Sequence, residues 1–147
     1  MVAEDDSSDL TLLRHAVTNV DSSVRLQITR DGNELIRYLQ GEADFADRDQ
    51  HPVPDLIMLD LKMPQLSGFE VLKWLKHHPE YVLIPKIVLS GSTLEKDIEE
   101  AYELGANTYF TKPSSFHELE KLMRLVVGYW SESQPPVARI LNRCHQA

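Results

Sequence analysis

The stretch Leu56-Ile57-Met58-Leu59-Asp60-Leu61-Lys62-Met63-Pro64 decides the fold. It opens as a short, continuous apolar run, the pattern of a strand buried on both faces. Beyond Pro64, Gly68 introduces a helical stripe through Leu72 and Leu75 that stops before Pro79. A strand buried on both faces implies a parallel sheet covered by helices, so strands and helices should alternate along the chain. Ile87-Val88-Leu89 is a second buried run, and Thr108-Tyr109-Phe110-Thr111 reads as the last strand. Toward the N-terminus, Leu10, Leu13, Val17 and Val20 mark a helix stripe, and Val24, Leu26 and Ile28 alternate like a strand. The Asp31-Gly32 turn leads into a helix carrying Leu35, Ile36 and Leu39, which Gly41 ends. Residues 42–54 are polar, carry Pro52 and Pro54, and read as a surface loop.

Two further helices have capping-box spacing at their starts, Ser92 with Glu95 and Ser115 with Glu118. The first presents Leu94, Ile98, Ala101 and Tyr102. The second presents Phe116, Leu119, Leu122, Met123, Val126, Val127 and Trp130. With Met1–Ala3 as the first strand, a strand-helix unit repeats about five times. Ser131 to Pro136 reads as a breaker-rich linker. Val137, Ile140, Leu141 and Cys144 then recur at helical spacing, as in a short docking helix or a frayed end.

The 147 residues carry 15 Lys plus Arg against 23 Asp plus Glu, a net charge of −8, and 42% are hydrophobic. That length suits one domain with its own core. The acidic balance argues against nucleic-acid binding, which would want a basic face. No apolar run approaches the length of a membrane span, and no basic segment followed by an apolar stretch stands at the start. A cytoplasmic protein with neither membrane nor nucleic-acid partner is therefore expected. The single cysteine, Cys144, excludes an intramolecular disulfide.

Three features fall at predicted strand ends: Glu4, Asp5 and Asp6 after the first strand, Asp60 after the third, and Lys112 after the last. In an open parallel sheet, ligands bind outside the carboxyl ends of the strands, so these residues should converge. Converging carboxylates repel unless a cation sits among them, and hard oxygen ligands suit Mg²⁺. No Cys/His set has zinc spacing. A lysine beside that cluster would pair with an anion such as a phosphoryl group. A carboxylate facing that group can act as a nucleophile and form an aspartyl phosphate.

With these residues in view, the chain resembles the receiver domain of two-component response regulators from about residue 2 to 130. The resemblance rests on Val2-Ala3-Glu4-Asp5-Asp6, on residues 56–64 with Gly68 beyond, on Lys86-Ile87-Val88-Leu89-Ser90-Gly91-Ser92, and on Thr108-Tyr109-Phe110-Thr111-Lys112-Pro113. It implies a flavodoxin-like, doubly wound α/β fold. The sheet would have five parallel strands in the order 2-1-3-4-5, with about five helices, and residues 131–147 would add a linker and tail. It implies Asp60 as phosphoacceptor. Glu4, Asp5, Asp60 and the backbone carbonyl of Lys62 would hold Mg²⁺, with Asp6 and Asp9 matching further polar positions nearby. Ser90 would bond a phosphoryl oxygen, Gly91 would leave room and offer its N–H, and Lys112 would pair with the phosphate. Pro113 would follow a cis peptide bond. Tyr109 would be the aromatic switch, rotating inward into space that Ser90 vacates.

Such a domain takes its phosphoryl group from a sensor histidine kinase or phosphotransfer protein and signals through a protein-interaction face. It catalyses only its own phosphorylation and dephosphorylation. The loop at 42–54, the Asp31-Gly32 turn and Gly128-Tyr129-Trp130 resemble single-domain regulators that partner phytochrome-type kinases. Relatives of that kind often dimerise, and their downstream target is another protein. Residues 131–147 are too few for an output domain. Met1–Ala3 form a shorter first strand than such domains usually carry, through either a late recorded start or a stunted strand. Lys62 and Ser92 occupy positions that help set phosphate lifetime in the family. One competing reading is a Mg²⁺-dependent phosphatase or phosphotransferase working through the same aspartate. That chemistry typically uses a second aspartate two residues after the nucleophile, where this chain has Lys62. The other, a structural or flavin-binding doubly wound domain, leaves the carboxylate cluster without a role.

Overall fold

The computed structural model describes residues 1–134. Five parallel strands, β1 (Val2–Ala3), β2 (Ile28–Thr29), β3 (Ile57–Leu59), β4 (Lys86–Ser90) and β5 (Thr108–Thr111), form one sheet in the order β2-β1-β3-β4-β5. They alternate with α1 (Ser7–Val20), α2 (Gly32–Gln40), α3 (Gly68–Lys76), α4 (Glu95–Glu103) and α5 (Phe116–Glu132), and a short 3₁₀ turn lies at Ala43–Phe45. The register places Ala3 beside Thr29 and Leu59, Leu59 beside Val88, and Ser90 beside Thr111. The residues just after β1, β3 and β5 therefore emerge along one edge. The expected fold and strand order are both present.

Two apolar layers sandwich the sheet, because alternate strand residues face opposite sides. Ile57, Leu59 and Val88 face Leu35, Leu39, Val71, Leu72 and Leu75 of α2 and α3. Val2, Met58, Ile87 and Leu89 face Leu10, Leu13 and Val17 of α1 with Leu119, Met123 and Val126 of α5. The predicted helix stripes are thus core stripes. There are two exceptions: Phe116 at the start of the α5 stripe is exposed, and in α4 Ala101 is buried while Leu94 and Tyr102 are exposed.

Local capping explains where the helices begin. Asp6 caps α1 by accepting from the Ser8 and Asp9 N–H groups. Ser67 and Glu70 form a reciprocal capping box at α3. Gly41 ends α2 in the left-handed conformation, φ 69°. Beside it the Arg48 guanidinium donates to the carbonyls of Tyr38, Leu39 and His51, tying the loop after α2 to that helix end.

Several expectations need correction. The second strand does not begin at Val24: β1 offers only Val2 and Ala3 for pairing, so the ladder covers Ile28–Thr29 while Val24 and Leu26 pack beneath. The Ser92 capping box does not form. Its hydroxyl donates to the Asp97 carboxylate, and α4 starts at Glu95 with Leu94 at its cap. Ser115 does cap α5 through the Glu118 N–H, but the Glu118 carboxylate meets the Ser114 hydroxyl. Helix α5 runs past Trp130 to Glu132, so Ser131 is helical rather than linker. The stripe at 137–144 lies outside the described residues. No described helix is long and apolar enough to cross a membrane.

Candidate functional site

Glu4 leaves β1, Asp60 leaves β3 and Lys112 leaves β5. The parallel register delivers all three to the same sheet edge. The Lys112 Nζ lies 2.7 Å from a Glu4 oxygen, 2.7 Å from Asp9 Oδ2 and 2.9 Å from Asp60 Oδ2. The side chains of Glu4 and Asp60 are each 8% exposed, against 43% for Asp9. Oxygens of Glu4, Asp5 and Asp60 lie within 4.8 Å of one another, a group able to hold a cation.

The electrostatics are those of an acid-rich pocket balanced by one cation. Burial pushes the Glu4 carboxyl above its ordinary range, although the Lys112 ammonium and the Asp6 N–H act against that. Burial alone would lower the Lys112 ammonium, but hydrogen bonds to Asp9, Glu4 and Asp60 raise it overall. Asp6 is not in the cation-binding group: its carboxylate caps α1, and its N–H donates to Glu4 at 3.1 Å. Asp9, one turn along α1, instead reaches the lysine.

The loop after β3 is held close. The Lys62 N–H donates to Asp60 Oδ1 at 3.3 Å, and the Gly68 N–H donates to the Leu61 carbonyl at 3.0 Å. At Gly68 a Cβ would collide with the Asp60 carbonyl oxygen and the Leu61 Cα, so only glycine permits this approach of α3 to the loop. The Lys62 side chain is exposed.

On the other side of β3 from β1, Ser90 is fully buried at the end of β4. Its hydroxyl accepts from the Ser92 N–H at 3.3 Å, and its carbonyl accepts from the Lys112 N–H at 2.8 Å. Gly91 is exposed, with nothing within 4 Å of where a Cβ would stand. Tyr109 is half-buried, and its hydroxyl donates to the Ser92 carbonyl at 2.9 Å. Any inward rotation thus starts from a ring already held against the turn after β4.

The expected cis bond before Pro113 is not present. No described peptide bond is cis, and Lys112 reaches all three carboxylates with the ordinary trans bond, which X-Pro amides favour slightly. Glu4, Asp5, Asp60 and Lys112 come together as expected, while Ser90, Gly91 and Tyr109 line the adjoining turn. The role of Asp9 had a faint signal, an acid in the first turn of α1. Its contact with a lysine 103 residues away is set by how α1 packs, which no local pattern encodes.

A family model described as the response regulator receiver domain matches residues 1–124. The curated response regulator Rcp1 of Synechocystis sp. is 32% identical over 133 residues, covering 90% of this chain and 88% of that one. The crystal structure of the phosphorylated cyanobacterial phytochrome response regulator RcpA superposes with a TM-score of 0.84. It is 34% identical and covers 92% of this chain and 95% of that one. The Mn²⁺-bound form of Rcp1 gives a TM-score of 0.77 at 32% identity, covering 92% of this chain and 96% of that one.

Proposed function

The chain belongs to the response regulator receiver family, and on that premise we propose that Asp60 is its phosphoacceptor. Receivers work by aspartate phosphorylation. The observation that carries the assignment is the Lys112 ammonium, 2.9 Å from an Asp60 carboxylate that is shared with the Glu4–Asp5 group. Receivers bind Mg²⁺ at an acidic pocket, and the buried, mutually repelling oxygens of Glu4 and Asp60 with Asp5 alongside fit such an ion. Glu4, Asp5, Asp60 and the Lys62 backbone carbonyl would hold it. Bound there, the ion would neutralise charge between the acceptor and the incoming phosphoryl group.

The remaining steps belong to the protein. An Asp60 oxygen attacks phosphorus, forming an O–P bond, while the bond from phosphorus to the donor's leaving group breaks and the donor keeps that electron pair. Lys112 pairs with one phosphoryl oxygen. The Gly91 N–H and, once it turns from Ser92, the Ser90 hydroxyl take others. Drawing Ser90 inward pulls on the turn that Tyr109 grips through the Ser92 carbonyl. That connects phosphorylation to the face formed by α4, β5 and α5. The donor would be a histidine kinase or phosphotransfer protein and the output another protein, with residues 1–130 as the switching unit in the cytoplasm. Lys62 at the second position after the acceptor disfavours turnover of phosphate esters. Incubation with acetyl phosphate should label the wild type only with Mg²⁺, and Asp60→Asn should abolish the label. A wild type that takes no label with Mg²⁺ present rejects the assignment.

A further inference from the structure

We propose that Asp9 is a positioning residue for phosphoryl transfer, holding the Lys112 ammonium beside Asp60 while the other carboxylates are engaged elsewhere. The proposal rests on the reading of Asp60 as acceptor and Glu4, Asp5 and Asp60 as cation ligands.

An ammonium has three N–H donors; in the structure Lys112 donates to Asp9 at 2.7 Å and to Asp60 at 2.9 Å and is ion-paired with Glu4 at 2.7 Å. Glu4 and Asp60 also belong to the group that converges within 4.8 Å. A carboxylate neutralised by a divalent ion attracts a nearby ammonium less. Phosphorylation replaces the carboxylate charge of Asp60 with that of the phosphoryl group, a partner that is in place only once transfer is complete. Of Lys112's three partners, Asp9 alone stands outside that group and keeps its full charge throughout.

Its placement suits that task. Asp9 lies in the first turn of α1, where the Asp6 cap accepts the Asp9 N–H at 2.9 Å and fixes the backbone. Helix α1 is in turn locked to α5 through Leu10, Leu13 and Val17 against Leu119, Met123 and Val126. Lysine's four-carbon stem is flexible and its head strongly hydrated, so an ammonium without an anchor would swing toward water. At 43% exposure, the Asp9 carboxylate is screened, and its ion pair adds little to stability. What it can supply is orientation of the lysine.

The test uses the full chain, Mg²⁺ and acetyl phosphate, with initial labelling rates for wild type, Asp9→Asn and Asp9→Glu. Asp9→Asn should slow labelling roughly tenfold, the low end for losing a group that orients a functional side chain, with an unchanged unfolding midpoint. Asp9→Glu restores the anion and should recover most of the rate. On a Lys112→Ala background, Asp9→Asn should have no further effect. The proposal is overturned if Asp9→Asn labels like wild type, if Asp9→Glu is as slow as Asp9→Asn, or if the loss persists without Lys112. The Asn and Glu rates decide the matter even if Lys112→Ala is too slow to time. Failure of the wild type to label refutes the Asp60 assignment instead, so the two failures are distinct.

Discussion

Lys86 and Lys112 are both lysines at strand ends, and burial acts on them in opposite company. Lys86 opens β4, is 5% exposed, and among the described residues its ammonium donates only to the Val82 carbonyl, at 2.7 Å. Burial holds its pKa below the ordinary 10.5. Between the folded value and 10.5 the unfolded chain binds more protons, so this residue's contribution to stability rises with pH through that window. At neutral pH its charge is a cost. Lys112 has the reverse sign. Its pKa is raised by carboxylates, so its contribution is complete below 10.5 and disappears as pH climbs through the folded value. Lys86→Met should therefore leave the urea midpoint at pH 7 equal or higher, since Val82 is exposed and water can satisfy its carbonyl. That advantage should shrink as pH approaches 10.5. A lower midpoint at pH 7 would show that the Lys86 bond outweighs its desolvation.

At the scale of elements, α3 depends on the absence of one side chain. Gly68→Ala places a methyl group against the Asp60 carbonyl and Leu61 Cα, backbone atoms that cannot step aside cheaply. Overpacking of this kind costs about 1–3 kcal/mol. Denaturant unfolding should show that loss, and acetyl phosphate labelling should slow as well, because the displaced segment carries Asp60, the proposed acceptor. A variant with wild-type stability and labelling would mean that α3 can shift freely. The same region shows what was legible in the sequence. Ile57–Leu59 announced a central strand through uninterrupted apolar character, and Asp60, Glu4 and Lys112 were legible because parallel strands deliver their ends to one edge. Ser92 misled because its hydroxyl, bonded to the Asp97 carboxylate, accepts from the Leu94 N–H, and the helix begins beyond it with Leu94 at the cap. Val24 and Leu26 misled because alternation records burial, which they have, and not the presence of a pairing neighbour. In its ladder with β2, β1 pairs only with Ile28 and Thr29. The contact of Asp9 depends on the docking of a whole helix.

For the molecule as a whole, the acidic pocket is a local source of instability that a cation would relieve. Glu4 is buried and its carboxyl resists ionisation, so the folded state should bind Mg²⁺ where the unfolded chain has no assembled site. Ligand at about 100 times its Kd stabilises by about 2.7 kcal/mol. Adding Mg²⁺ should raise the thermal midpoint of the wild type, chelation should reverse it, and Asp5→Asn combined with Asp60→Asn should remove the response. An equal rise in the double variant would assign the effect to the surface at large.

The three-sided grip on Lys112 has one more consequence. Its partners Asp60, Asp9 and Glu4 sit 52, 103 and 108 residues away in sequence, and contacts so distant carry a high loop-closure cost. A nascent chain still lacking β5 has Asp60, the proposed acceptor, but no lysine beside it. On the proposed function, competence for phosphoryl transfer would thus wait until β5 has joined the sheet.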